Sequence, residues 1–180
     1  MIEGSLVNLR PVDVSDLERY FAWINDPEVA EHLQVWPLQV SRIQEEAWLA
    51  AVMNHTQPPE ITYAIETRDE GRHIGSVSLH KIEIVERHAE LGIMIGDKTQ
   101  WNRGYGTDAI MTMLQLAFEG INLNRVYLRT DEDNNRAVAC YRKCGFVEEG
   151  RLRHDRYRAG VYRDTVMMGV LRSEFGEQPA

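Results

Sequence analysis

Cysteine is scarce in this chain of 180 residues: Cys140 and Cys144 are the only two. A disulfide framework needs more, and a zinc site needs further Cys or His at ligand spacing. His32, His55, His73, His80, His88 and His154 show no such arrangement, so no metal is expected. The two thiols read as small hydrophobes packed on a helix. Long apolar runs are missing too, since no stretch approaches the ~20 residues that span a bilayer. The opening Met1-Ile2-Glu3-Gly4-Ser5 has neither the basic start nor the apolar core of a signal peptide. A cytoplasmic protein without a membrane partner is the expectation. Clustered basic residues are also lacking, and the formal charge is −8. That argues against nucleic acid, whose phosphates require grouped Lys and Arg. It suits a cationic substrate drawn by long-range attraction, or simply solubility. No repeat, low-complexity tract or Pro/Gly/Ser-rich linker divides the chain, which predicts one domain over 1–175 and a frayed tail over 176–180.

What the chain does contain is an ordered change of period. Leu6 to Arg10 alternates like a strand and stops at Pro11. Asp13 or Ser15 then caps a helix with Leu17, Tyr20, Phe21 and Ile24 on its apolar face, ended by Asn25-Asp26-Pro27. A second helix is predicted from Ser41 to Met53, with Trp48, Leu49 and Val52 inward, before the break at Pro58-Pro59. Tyr63 to Glu66 and Ile74 to Leu79 flank the turn Asp69-Glu70-Gly71 as a hairpin. His88 to Ile95 is the next strand. After Gly106 the period becomes helical, with Ile110, Met113, Leu114 and Ala117 on one face and an end near Gly120. Val126 to Thr130 is a strand, Asn134 opens a helix and Gly145 closes it. Phe146-Val147 and Tyr162 to Leu171 read as closing strands joined by a polar, Arg-rich connection. The order β-α-α-β-β-β-α-β-α-β-β makes a mixed α/β or α+β domain with its strands clustered in the middle.

Gly104-Tyr105-Gly106 stands between a strand and a helix. Glycines there permit a tight turn and a close ligand approach. The amides and dipole of the helix beginning near Thr107 favour an anion, and Arg103 adds a cation. The same residues would also serve as a plain turn. Gly104 to Ala109 satisfies the dinucleotide fingerprint by letter. Its context does not: Lys98 to Arg103 replaces the buried strand that should lead straight into the glycines. No Walker lysine-serine pair follows either.

Trp101-Asn102-Arg103-Gly104-Tyr105-Gly106-Thr107 followed by Asn134-Asn135-Arg136-Ala137-Val138-Ala139-Cys140-Tyr141-Arg142-Lys143-Cys144-Gly145-Phe146 resembles the GNAT superfamily of acyl-CoA N-acyltransferases. The first segment is similar to the pyrophosphate loop Q/R-x-x-G-x-G/A, the second to N-x-x-A-x-x-x-Y-x-x-x-G-F. The opening, Leu9-Arg10-Pro11-Val12-Asp13 with Trp23-Ile24-Asn25-Asp26-Pro27-Glu28-Val29, resembles the branch typified by the ribosomal-protein N-terminal acetyltransferases RimJ and RimL. Trp101 departs from the loop's usual first residue, which places phosphate binding on backbone N–H groups and Arg103.

The resemblance implies a mixed, mostly antiparallel sheet of about seven strands flanked by about four helices. It implies acetyl-CoA as co-substrate, bound by Ile93, Met94, Ile95, Trp101, Asn102, Arg103, Gly104, Tyr105, Gly106, Thr107, Asn134, Ala137 and Tyr141. By the same likeness Tyr141 serves the thioester sulfur as acid and Glu90 is the base, with His88 and Glu83 in reserve. Burial would have to raise the pKa of Glu90 for that role. The implied acceptor is a primary amine: a protein N-terminus, a polyamine or an amino sugar. Cys144 to Gly150 is similar to spermidine acetyltransferases, and a non-catalytic CoA-binding module on this fold is the alternative from another class. His32 to Trp36 and Arg151 to Tyr162 are expected to line the acceptor pocket, and a homodimer is compatible with the likeness.

Overall fold

A computed structural model describes residues 1–33, 39–54 and 60–176. The break at Pro58-Pro59, the segment 34–36 of the expected acceptor lining and most of the expected tail lie outside the described residues.

Strand β2 (Val7–Pro11) buries alternate residues, Val7 and Leu9, and pairs with the short β1 (Ile2–Glu3). Asp13 accepts from the Ser15 amide while Asp16 accepts from the Asp13 amide, a reciprocal cap that starts the first helical segment. Helix α1 (Leu17–Ile24) buries Tyr20, whose ring meets Trp23, Trp48 and His73 edge-on. Asp26 then caps a further short turn of helix, α2 (Pro27–Ala30), with proline in its first turn. Helix α3 (Arg42–Asn54) buries Leu49, whereas Trp48 is 36% exposed and touches the interior mainly through Tyr20.

Strands β3 (Ile61–Thr67), β4 (His73–Glu83) and β5 (His88–Ile95) form an antiparallel meander. Helix α4 (Tyr105–Gln115) follows, and its inward residues Ile110, Met113 and Leu114 are wholly buried. It ends through one wider turn over Leu116–Gly120, closed by the Ile121 amide on the Leu116 carbonyl at 2.9 Å. Strand β6 (Arg125–Asp131), helix α5 (Asn135–Lys143) and the hairpin of β7 (Val147–Arg158) with β8 (Val161–Leu171) complete the chain.

Among the described residues the sheet has eight strands in the order β1-β2-β3-β4-β5-β6-β8-β7, and β5 with β6 is its parallel pair. The Arg-rich connection expected between two closing strands is itself strand. Residues of β7 are almost all exposed, so no apolar alternation marks them, and the turn at Ala159 and Gly160 has the paired positive φ (48° and 84°) of a tight hairpin.

Helices α4 and α5 pack on one face of the sheet, against the large apolar cluster. The opposite face carries Tyr20, Trp23 and His73 from α1 and β4. Among the described residues no helix is long and apolar enough to cross a membrane.

Candidate active site

Strands β5 and β6 are paired only at His88–Arg125, Ala89–Val126 and Glu90–Tyr127. Beyond Glu90, β5 keeps β4 as its partner up to Ile95, and β6, paired with β8 on its other edge from Arg125 on, keeps that partner up to Asp131. A seam therefore opens in the middle of the sheet, and the backbone edges of Leu91 to Ile95 that face it have no strand partner among the described residues. Backbone N–H and C=O groups left this way are an extended recognition surface.

The seam leads to the N-terminus of α4. Asp97 caps a short turn over Lys98–Gln100. Trp101 then folds back, and its indole N–H donates to the Ile95 carbonyl at 2.7 Å. Asn102 (φ 61°) and Gly104 (φ 86°) are both left-handed, which curls the loop over the start of the helix. The first-turn amides of Tyr105, Gly106 and Thr107 have no preceding helical carbonyls to bond, so they point at whatever anion enters. Arg103 stays exposed, held by Gln100 Oε1 at 2.6 Å and lying 5.5 Å from the Tyr105 ring centre.

A second cation stands there that the sequence reading did not assign. The Arg136 guanidinium lies over the Trp101 ring at 3.7 Å. Its signal was available, because Arg136 sits in the first turn of the motif helix, but its partner is far away in sequence. Asp108, an acid in the same first turn of α4, is turned away: its carboxylate accepts from the amides of Ser5, Leu6 and Val7 at 2.8–3.0 Å.

Helix α5 closes the other side. Asn134 caps it, accepting from the Ala137 amide at 3.3 Å, which leaves its side-chain NH₂ free to donate. Cys140 touches the loop through Thr107 Oγ1 at 3.3 Å, and Cys144 is buried. Tyr141 is 9% exposed, packs on Phe146, and shares one cluster with Leu91, Val126 and Leu128 from the strands bounding the seam. Burial, with Cys140 and Cys144 nearby, pushes its phenol pKa well above the ordinary value, so the group keeps its proton. The structure thus gathers Ile95, Trp101 to Thr107, Arg136, Ala137 and Tyr141 around one end of the seam.

Glu90 is at the last paired rung, on the face of β5 opposite α4. Burial acts to raise its pKa, but hydrogen bonds and charge from Lys81 and Arg129 prevail and lower it. Lys81 Nζ donates to it at 2.7 Å and Arg129 Nε at 2.8 Å. The raised pKa that a base at this position requires is therefore absent: Glu90 is an anion locked between two cations. The reserves stand at the far end of the same strand pair, Glu83 opposite His88, with the His88 ring against Tyr127.

The expected acceptor lining is brought together where it is described. Arg156 donates to the Leu33 carbonyl at 3.2 Å and Arg158 to the Ala30 carbonyl at 3.2 Å, which fixes β7 against the end of α2. His32 lies 3.4 Å from Asp131 and 3.9 Å from Asp133. Arg156, 3.5 Å from Asp131, and Arg163, paired with Asp133, answer those carboxylates.

Residues 7–147 match the family model described as an acetyltransferase (GNAT) domain. A spermidine N(1)-acetyltransferase of Escherichia coli strain K12 is 30% identical over 94% of this chain and 88% of its own length. One from Vibrio cholerae is 36% identical over 57% of this chain and 58% of its own length. A putative ribosomal N-acetyltransferase, YdaF of Bacillus subtilis, is 33% identical over 59% of this chain and 57% of that protein. Among solved structures, spermidine N-acetyltransferase from Vibrio cholerae in complex with CoA and spermine superposes with a TM-score of 0.85 at 28% identity, covering 96% and 99% of the two chains.

Proposed function

We propose that this chain, which belongs to the GNAT acetyltransferase family and is an N-acetyltransferase using acetyl-CoA, acetylates a terminal primary amine of a polyamine by direct attack on the thioester. The observation that carries the mechanism is the seam: an open strand edge on β5 that ends at a helix N-terminus and is flanked by a buried tyrosine. In this reading the pyrophosphate sits on the amides of Tyr105, Gly106 and Thr107 with Arg103 and Arg136 beside it. The pantetheine arm runs along Ile93 to Ile95. Since Trp101 occupies the Ile95 carbonyl, the arm draws its main-chain bonds from Ile93 and Met94. The thioester then lies in the mouth of the seam, where main-chain donors stabilise the oxyanion.

Tyr141 donates a hydrogen bond to sulfur as negative charge develops. A thiolate (conjugate acid pKa ~8.5) is a weaker base than tyrosinate (~10), so complete transfer is uphill by roughly 2 kcal/mol even before burial. The hydrogen bond itself is the useful part. For the acceptor, the support is the spermidine acetyltransferases among the relatives and the net charge of −8, which draws a polycation toward the protein.

Thiol release from acetyl-CoA, measured with spermidine, N-terminal peptides and amino sugars, tests this directly. The expected result is the highest kcat/KM for spermidine. Tyr141→Phe is expected to lower kcat about 100-fold while leaving the Kd for CoA unchanged; an unaltered kcat would remove Tyr141 from the mechanism. A peptide preference would instead support the second reading, N-terminal acetylation, which the likeness to the ribosomal N-acetyltransferase favours. Binding of CoA with no turnover of any amine would end both.

A further inference from the structure

Strand β4 places Ser78 and His80 on the α1 face, and Glu60, just ahead of β3, completes a row of three polar side chains outside the machinery described so far. Ser78 Oγ lies 2.7 Å from His80 Nε2, and His80 Nδ1 lies 2.9 Å from Glu60 Oε1. Ser78 is buried at 9% exposure, while the His80 and Glu60 side chains retain 39% and 30%. Their period-2 spacing on β4 turns Ser78 and His80 to one face. The register sets Ser78 opposite Gly92 and His80 opposite Glu90. Gly92 is two residues beyond Glu90, the last rung joined to β6, so the row stands where the seam opens. A methyl group built on Gly92 would come within 2.9 Å of His80 Nε2 and 3.2 Å of Ser78 Oγ. The missing side chain at Gly92 is what lets the hydroxyl and imidazole lie directly against the strand that borders the seam.

We infer that Ser78, His80 and Glu60 form a relay that takes the proton from the attacking amine. This rests on the acetyl-transfer reading above and supplies a base other than Glu90, which Lys81 and Arg129 pair as an anion. Glu60 accepts from His80 Nδ1–H, which fixes the tautomer with the Nε2 lone pair toward Ser78. The His80 hydrogen bond, opposed by burial, holds the Glu60 pKa below the ordinary carboxylate range, so the anion persists. As the amine nitrogen bonds to the acetyl carbon, its proton passes to Ser78 Oγ and the serine proton passes to His80 Nε2. Collapse then breaks the C–S bond with its electron pair leaving on sulfur, which the Tyr141 hydroxyl hydrogen-bonds and which then takes a proton from water. His80 gives its proton to water at its exposed edge, so no net proton or electron is left over. Acid and base thereby act from opposite faces of β5: Tyr141 from the α4–α5 side, the relay from the α1 side. The charged groups alongside His80 on the neighbouring strands are Glu60 ahead of β3 and Glu90 on β5. Lys81 follows on β4 itself, and Arg129 stands on β6.

The experiment is the pH profile of kcat/KM for the intact protein and for His80→Gln, Glu60→Gln and Ser78→Ala, with Tm and CoA affinity measured on each. The wild type is expected to lose activity on the acid side. His80→Gln is expected to lose that acid limb and at least tenfold in kcat, with CoA binding unchanged. Glu60→Gln is expected to lower kcat as well, because the imidazole loses the acceptor that orients it. Ser78→Ala keeps the histidine but interrupts the relay, and is expected to lower kcat by a similar factor at an unchanged Tm. An acid limb and kcat unaltered in His80→Gln and Ser78→Ala would overturn the relay while leaving the transferase reading intact. A wild type that turns over no amine would overturn that reading itself. An acetyl group retained on Ser78 after mixing with acetyl-CoA alone would replace the relay with a covalent route and so refute it.

Discussion

Gly104 and Gly106 stand one residue apart and answer to different demands. Gly104 has a φ of 86°, where any side chain is strained regardless of space. Gly106 has ordinary helical geometry, and a methyl built on it meets only Ile95 at 3.8 Å and Cys140 at 3.9 Å, normal contacts. Nothing in the fold requires glycine at 106. In the proposed reading the glycine leaves room for a ligand that approaches the backbone there. Gly106→Ala is therefore expected to leave stability unchanged or raise it by roughly 0.5–1 kcal/mol, while weakening CoA binding at least about tenfold, or ~1.4 kcal/mol. Gly104→Ala should cost roughly 1–2 kcal/mol of stability. Calorimetric Kd and urea midpoints on the two variants check the pair; full CoA affinity in Gly106→Ala would refute the assignment of the loop. The same residues show how far a site can be read from sequence. Glycines and caps act locally, so their spacing marks the turn into α4 where the anion loop is proposed. Glu90 had no such marker: whether it is a base or a locked anion depends on Lys81 and Arg129, which only the sheet brings to it.

At the scale of elements, legibility followed burial. Strand β5 and the inward stripe of α4 were visible in the sequence because one face of each must be apolar. The twelve residues of β7, VEEGRLRHDRYR, carry almost none of that pattern because both faces meet solvent, and the strand exists through its pairing with β8. Helix α4 also has a tie that no periodicity discloses. Asp108 turns its carboxylate to the amides of Ser5 and Leu6 in the β1–β2 connection and of Val7 at the start of β2, clamping the edge of the sheet to the helix that follows the proposed anion loop. It also removes an acid from the mouth of that loop. Asp108→Ala leaves three amides without their acceptor and is expected to cost about 2 kcal/mol, read as a lowered urea midpoint at unchanged slope. A loss under about 0.5 kcal/mol would show that water replaces the carboxylate freely.

For the whole molecule, the two faces of the sheet differ in how they should respond to acid. The α4–α5 face is an apolar cluster, whereas the α1 face buries an ionisable set. Arg10 holds Asp16 at 2.7 Å and Glu66 at 2.9 Å, and His73 Nδ1 lies 3.0 Å from Asp16 while its Nε2 faces the Gly75 carbonyl at 3.0 Å. Tyr20 and Trp23 cover the imidazole, and Arg19 donates to the His73 carbonyl at 2.7 Å. Burial lowers the His73 pKa; Asp16 opposes it, and Arg10 and Arg19 add to it. A histidine with a depressed folded pKa binds fewer protons than the unfolded chain, whose imidazole titrates near ~6.5. Its contribution to stability is then complete above about pH 6.5 and drains away as pH falls toward the folded value. Asp16, which burial would raise but Arg10 and its other partners lower, adds a second loss only at more acid pH. Tm should therefore be level at neutral pH and decline below about pH 6.5, and His73→Gln should abolish the first part of that decline. The consequence reaches the seam, since β4 from His73 onward carries Ile74 and Gly75, the residues that pair with the Ile95–Asp97 end of the strand proposed to bind the cofactor arm. A wild-type Tm that rises on acidification would mean that attraction to Asp16 overcomes burial, with an imidazolium stabilising the native state.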